Sequence, residues 1–414
     1  MRIVRKKISL LIVLLLSTGL GRTAVGDVAP ATMTRAAVRQ QTRALQDLGA
    51  RMFRDPALSA SGKLACASCH DPAHGFGPPN DLAVQMGGAD MKQPGTRAVP
   101  SLTYLEATPA FTEHFFDSED DGDESIDNGP TGGLTWDGRV DRGREQARIP
   151  LLSAYEMANN DEASAAGRIE AAGYAAQLRR ILGVKLAGPD AVFDAAVAAL
   201  EVYEQDYRVF YPYSSKYDAY LAGKATLAPA EARGLALFED PDKGNCASCH
   251  LSRRANNGAP PEFTDYGMIA LGVPRNRTIP ANADPGHVDL GLCGPERTDF
   301  KDRPDYCGRF KTPSLRNVAQ RQVFMHNGVF HSLKQVLEFY VGRDTDPGKW
   351  YAHNADGTVR KYDDLPAAYR DNVNVDPPFD RKPGQAPALD ARGIDDIIAF
   401  LGTLNDGYRL PKRP

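Results

Sequence analysis

The chain has 414 residues, 42% of them hydrophobic and 25% charged, with 49 basic and 53 acidic side chains and a formal net charge of −4. That is an ordinary globular balance, with length for one or two domains. It excludes a disordered chain, a collagen-like repeat and an integral membrane protein.

In chain order, residues 1–26 read as an export signal. Arg2, Arg5, Lys6 and Lys7 form a basic front, and Ile8 to Leu20 form an apolar run of 13 residues. The run is too short to span a bilayer, and Ala24 and Gly26 suit a small-residue cleavage site. Removing this leader, which also carries Arg22, leaves 44 basic and 53 acidic residues, a charge of −9. Nucleic acid and anionic membrane surfaces select for the opposite sign. No later apolar stretch approaches 18 residues, so the mature chain is expected to be a soluble periplasmic protein without a membrane span.

Two segments then repeat. The first reads Leu48-Gly49-Ala50-Arg51-Met52-Phe53-Arg54-Asp55-Pro56 and reaches Cys66-Ala67-Ser68-Cys69-His70. The second reads Arg233-Gly234-Leu235-Ala236-Leu237-Phe238-Glu239-Asp240-Pro241 and reaches Cys246-Ala247-Ser248-Cys249-His250, 180 residues later. Each reads as an amphipathic helix ending in Phe-x-Asp-Pro, a turn, and a c-type haem attachment motif. The two thiols add to the haem vinyl groups, and the following His is placed to ligate the iron. A redox dithiol or half a zinc site would need a coincidental His in both copies. The repeat predicts a mainly α fold of two cytochrome c-like domains, each carrying one covalently bound haem c, with long irregular loops. The boundaries are set at 27–220 for the first haem domain and 221–414 for the second, with the join near 212–228.

Between and after the motifs, three stretches have helical periodicity. Val192, Phe193, Val197, Leu200, Tyr203 and Tyr207 form one face. Leu333, Val336, Leu337 and Tyr340 form a second, and Ile394, Ile397, Ile398, Leu401 and Leu404 a third. Thirty prolines and 38 glycines imply much irregular chain, above all at 71–132 and 253–312. The acidic run Asp117 to Glu124 reads as a solvated loop, because Asn128 stands where a calcium loop wants a bidentate Glu. Cys293 and Cys307 lie in loop chain of an exported protein, so a disulfide is expected, with two free thiols as the alternative. Closing this 15-residue loop would stabilise by roughly 3 kcal/mol in the chain-entropy model. Residues 342–388 form a loop-rich segment that either covers the second haem, offers a partner surface, or is a solvated cover.

These residues leave an electron-transfer cytochrome and a haem enzyme both open. Further motifs resemble the bacterial dihaem cytochrome c peroxidase and MauG superfamily across most of the mature chain. They are Thr135-Trp136-Asp137-Gly138-Arg139, Gln146, Pro150 and Glu156-Met157 in the first half. In the second half they are Phe310 through Val318, Met325-His326-Asn327-Gly328, and Leu333 through Tyr340. The family's spacing from Trp to Gln (10), Pro (14) and Glu (20) is reproduced.

The resemblance implies roles by position. The haem on His70 would be peroxidatic, with Gln146, Pro150 and Glu156 on its open side and Glu156 moving the peroxide proton. Trp136 would relay electrons between the haems. His74 does not match a distal group and reads as local packing. Fourteen residues after His326, where the family's peroxidases carry a methionine, stands Tyr340. This resembles the MauG-like branch, in which a tyrosine ligates the second iron. Met325 is the main rival ligand, and Met268, His287 and His331 are weaker ones. An anionic oxygen donor stabilises ferric and higher iron, so both haems would share the oxidation by peroxide. The family's calcium position falls on Ala98, Arg321 and Val323, which removes the side-chain ligand and puts calcium in doubt. The implied activity is that of an oxidoreductase acting on hydrogen peroxide. Its electrons would come from a small cytochrome or copper protein, or from a residue of a protein substrate. A dihaem electron carrier without enzymatic activity is the competing reading.

Overall fold

The computed structural model describes residues 33–116 and 126–410. The expected leader and the acidic run at 117–124 lie outside the described residues. The chain divides into two units between Gln40 and Gln41. Of the first, only 33–40 are described, and Arg35 to Gln40 belong to the opening helix.

The described chain is mainly helical. Its helices are α1 (Arg35–Met52), α2 (Cys66–Cys69), α3 (Gly143–Leu152), α4 (Glu162–Ala171), α5 (Tyr174–Leu182) and α6 (Gly188–Glu204). They continue with α7 (Tyr207–Phe210), α8 (Lys216–Leu221), α9 (Pro229–Glu239), α10 (Leu333–Gly342) and α11 (Ala391–Gly402). Two small antiparallel pairs complete the pattern. β1 (Met86–Gly87) pairs with β2 (Gln93–Pro94), and β3 (Met268–Ile269) pairs with β4 (Phe310–Lys311).

Apolar periodicity builds two main cores. Leu48, Met52 and Phe53 pack with Val192, Phe193, Val197, Leu200 and Tyr203 of α6. Tyr217, Phe238 and Phe263 pack with Leu337, Phe339, Ile394, Ile397, Phe400 and Leu401. Each fully buried Phe or Leu contributes about 1.5–3 kcal/mol over exposure. A smaller cluster holds Met268, Leu292 and Tyr306 with the joined pair Cys293–Cys307, whose Cα atoms are 5.0 Å apart.

The two repeats are built alike. In α1, a methyl group on Gly49 would overlap the Ala199 carbonyl oxygen of α6. In α9, one on Gly234 would overlap the Asp396 carbonyl oxygen of α11. Each glycine lies four residues before the Phe that precedes its haem motif. The repeated Gly therefore marks where a helix crosses its partner at backbone distance.

Two expectations need correction or refinement. Tyr207 does not extend the α6 face. The helix stops at Glu204, and the Asp206 carboxylate caps a new turn by accepting the Arg208 N–H at 3.1 Å. This break turns Tyr207 outward to 63% exposure. The stripe Leu333, Val336, Leu337 and Tyr340 on α10 is more than core, because all four side chains line a large cavity.

Candidate active site

Each haem motif closes on its own histidine in the same way. The His70 N–H donates to the Cys66 carbonyl at 2.9 Å, and the His250 N–H to the Cys246 carbonyl at 2.8 Å. His70 Nδ1 lies 2.9 Å from the Phe76 carbonyl, and His250 Nδ1 2.9 Å from the Phe263 carbonyl. A carbonyl only accepts, so Nδ1 carries the proton and Nε2 keeps its lone pair for a metal. Phe76 and Phe263 both adopt left-handed backbone angles, φ 53° and 55°, which turn their carbonyls back to the ligand. Burial pushes His70 down to about 4 and lowers His250, so both imidazoles are neutral, as ligation requires.

The four motif thiols fit covalent haem. Burial pushes Cys66, Cys69 and Cys246 up to about 12 and Cys249 to about 11. Neutral sulfur suits thioether attachment in an apolar wall, and it disfavours a thiolate role in redox exchange or zinc binding. Among the described residues no group of three His, Cys, Asp or Glu could hold a metal ion.

A single cavity, about 2310 Å³ of space between protein atoms with its mouth included, joins several expected residues. Cys246, Cys249, His250, Tyr340 and Met325 line it together with Trp136 and Gln146. The Tyr340 ring packs 5.2 Å from Phe379, and its hydroxyl has no hydrogen-bond partner among the described residues. Burial and the nearby Cys249 and Cys246 raise its pKa, so a free phenol here stays protonated. Asp364, Pro377, Pro378 and Phe379 also line the cavity, so part of segment 342–388 walls the second site. Met268 packs in the small third cluster, while His287 and exposed His331 are absent from the cavity wall.

Trp136 is held from both halves of the chain. Its indole N–H donates to the Ala98 carbonyl at 2.8 Å, and its own carbonyl accepts the Lys311 N–H at 2.8 Å. Gln146 and Pro150 sit one turn apart on α3, so they share a face. Beyond α3 the chain folds back, with the Met157 N–H donating to the Pro150 carbonyl at 2.9 Å. This fold brings Glu156 near the first motif, where its charge helps raise Cys69 and Cys66. Burial pushes Glu156 up to about 7, with the Ser153 hydroxyl and Arg139 opposing and Glu296 reinforcing the rise. Pro150, Glu156 and the first motif do not line the large cavity. His74 bonds Asp71 at 2.9 Å, a local contact.

A buried ion network escaped the sequence reading. Arg97 grips Asp289 at 2.6 and 2.7 Å and reaches Asp137 at 2.7 Å. Arg139 bonds the same Asp137 at 3.0 Å and comes within 3.8 Å of Glu296, which accepts the Tyr155 hydroxyl at 2.7 Å. Burial alone would raise Asp137, but Arg97 and Arg139 outweigh it and hold the carboxyl below its ordinary value. Asp137 and Arg139 belong to a motif already singled out, yet their partners are far away in the chain. Glu204 was also missed. It faces Cys66, and burial with the charge of Glu201 pushes it up to about 8.

Comparison with known proteins gives this arrangement a family. The model of the di-haem cytochrome c peroxidase family matches residues 43–226. The chain is 34% identical over 386 residues to the methylamine utilization protein MauG of Paracoccus denitrificans (strain Pd 1222), covering 91% of this chain and 92% of that protein. It is 40% identical to the diheme peroxidase BthA of Burkholderia thailandensis E264, with a TM-score of 0.75 over 87% of this chain and 86% of that one. A MauG-like protein associated with microbial copper homeostasis, 24% identical with a TM-score of 0.60 over 88% and 89% of the two chains, shares the fold. The protein therefore has two c-type cytochrome domains with two covalently bound haem c groups, and it is an oxidoreductase acting on peroxide. The chain belongs to the dihaem cytochrome c peroxidase and MauG family.

Proposed function

We propose that this protein reduces hydrogen peroxide at the His70 site and holds or relays an oxidising equivalent at the His250 site. Cys66 and Cys69 would bind the first haem and His70 would ligate it; Cys246, Cys249 and His250 would do the same for the second, with the Tyr340 phenol oxygen as sixth ligand. When bound, haem c supplies the redox chemistry: an iron open to peroxide at one site and an iron able to store an oxidising equivalent at the other.

The observation that carries the reading is Glu156, a carboxyl near the first motif that burial pushes up to about 7. A group with that value takes the proton from one peroxide oxygen and returns it to the leaving oxygen near neutral pH. Gln146, one turn before Pro150 on α3, orients the peroxide by its amide. Pro150 presents no donor or acceptor side chain and keeps a competing ligand away. Trp136, gripped by Ala98 and by Lys311, is the aromatic side chain we assign to electron relay. Tyr340 is favoured over Met325 because its residue lines the cavity and its hydroxyl has no hydrogen-bond partner among the described residues.

The remaining assignments rest on the sequence. The signal segment 1–26 directs the chain to the periplasm, and the haem domains divide into 27–220 and 221–414. The electrons come from a small cytochrome or copper protein. Oxidation of a residue on a partner protein is the second reading, favoured by the 34% identity to MauG.

The test is a titration of the ferric holoprotein with one equivalent of peroxide, followed by visible, near-infrared and low-temperature EPR spectra. Loss of one high-spin and one low-spin ferric signal together supports the proposal. A fully low-spin resting protein inert to peroxide leaves an electron carrier. Reaction only after one haem is reduced points to Met325 and an ordinary donor-fed peroxidase.

A further inference from the structure

One arginine with a buried guanidinium nitrogen has no carboxylate partner among the described residues. Arg321 follows the short turn Val318–Gln320, and its side chain lines the haem cavity with Trp136 and His250. Its Nη2 donates to the Val99 carbonyl at 2.8 Å, while Nη1 is buried and bonds nothing. A Cβ added at Gly77 would meet Nη1 at 2.6 Å, so the group packs against the turn whose Phe76 carbonyl orients His70. Arg97, Arg275, Arg316 and Arg343 are also buried, and each pairs with an aspartate. An unpaired cation taken from water is costly, so Arg321 calls for an anion that the described residues do not provide. Haem c carries carboxylates of its own, the propionate groups, and one of these would answer that need.

The same position does not suit calcium. Of the three residues there, Ala98 has its carbonyl taken by the Trp136 N–H at 2.8 Å, Val323 is buried and apolar, and Arg321 places a fixed positive charge. A guanidinium repels a dication and binds a carboxylate through parallel N–H donors.

We propose that Arg321 is the built-in cation of this cavity: it pairs with a haem propionate beside His70 and stands in place of a divalent metal. The inference rests on the haem reading above but not on the reaction with peroxide. Arg321 is a positioning residue, acting through the haem it holds and charges.

The experiment uses the holoprotein as wild type, R321Q and R321K, and measures calcium content and the reduction potential of each haem without peroxide. Glutamine keeps a donor for the Val99 carbonyl and loses the charge, whereas lysine keeps the charge. The expected wild type carries two irons and no stoichiometric calcium, and a chelator leaves its EPR spectrum and potentials unchanged. R321Q moves at least one haem potential to a more negative value, because a lost positive charge disfavours the added electron. R321K stays near wild type. Stoichiometric calcium whose removal changes the spectra overturns the proposal. So does a fully loaded R321Q with wild-type potentials, which reduces Arg321 to packing. If R321Q does not accumulate with both haems, R321K decides: near-wild-type potentials and haem content support the charge reading, and their loss overturns it. A protein inert to peroxide can still pass this test, so failure here and failure of the peroxidase proposal are separable.

Discussion

The two haem motifs share one cradle and differ in what faces it. Each cradle has a glycine crossing, Gly49 of α1 against α6 or Gly234 of α9 against α11, and a left-handed Phe whose carbonyl fixes the ligand histidine. Beyond that common frame, the first motif has Glu156 near it, raised to about 7 by burial. The second meets α10, which offers Tyr340 and closes the cavity with residues of the following segment. In the function proposed above, the frame would secure a haem and the facing element would decide what its iron does.

The largest effect should come from removing the acid–base group at the first site alone. Glu156→Gln should slow the reaction with peroxide by about 10²–10⁴-fold while leaving both haem contents and the second haem's spectrum unchanged. Stopped-flow mixing would measure it, and an unchanged rate would remove the distinction between the two sites. The wild-type rate should also depend on pH with a defined sign. Below about 7 the Glu156 carboxyl is protonated and cannot take the peroxide proton, so the rate constant rises with pH through about 7. In the Gln variant that limb should vanish.

Next comes the second site. Tyr340→Phe should remove the oxygen-donor signature of the second haem and raise its reduction potential, because an anionic donor stabilises ferric iron. Met325→Leu should leave both unchanged. The reverse pattern, read by EPR and spectroelectrochemistry, would make Met325 the ligand and turn Tyr340 into cavity wall only.

How far these sites were legible follows from the range of the contacts. The attachment motifs, the helices before them and the terminal helix are local patterns, and they fold as read. Tyr340 was visible as a member of an apolar stripe, but only the resemblance singled it out from Leu333 and Val336 beside it. The Phe carbonyls were invisible because Phe76 follows its histidine by 6 residues and Phe263 by 13, so the repeat breaks there. The Arg97–Asp289 pair spans 192 positions, and no periodicity reports such a contact. Tyr207 was misread because period alone does not show that Asp206 caps a new turn. Arg321 was noticed as a residue out of pattern, but its free Nη1 is a fact of packing.

A smaller effect belongs to neither haem. Cys293→Ser opens the loop closed by the Cys293–Cys307 bond and should cost about 3 kcal/mol, read as a lower midpoint of denaturant unfolding. The haem spectra of the folded protein should not change, since both cysteines lie in the small cluster around Leu292 and Tyr306. A spectral change at either haem would mean that this cluster supports a cradle.

The smallest predicted effect tests the shared frame itself. Gly49→Ala and Gly234→Ala each put a methyl group against a carbonyl oxygen of the crossing helix, Ala199 in one case and Asp396 in the other. A flexible side chain would swing aside, but a helical carbonyl cannot, so the helices must part. Overpacking of this kind costs about 1–3 kcal/mol. Alanine also favours a helix interior over glycine by about 1 kcal/mol, so the net loss should be about 0–2 kcal/mol. Thermal unfolding of the holoprotein would measure that loss, but the site-specific readout is sharper. Each Phe that fixes a ligand histidine packs on the Phe four residues after the crossing glycine: Phe76 on Phe53 at 6.1 Å, Phe263 on Phe238 at 6.3 Å. Parting the helices should therefore disturb one histidine and not the other. Gly49→Ala should broaden or shift the EPR signal of the His70 haem alone, and Gly234→Ala that of the His250 haem alone. If either variant perturbs both signals, the cradles are mechanically joined, and the two sites cannot be treated as one frame used twice.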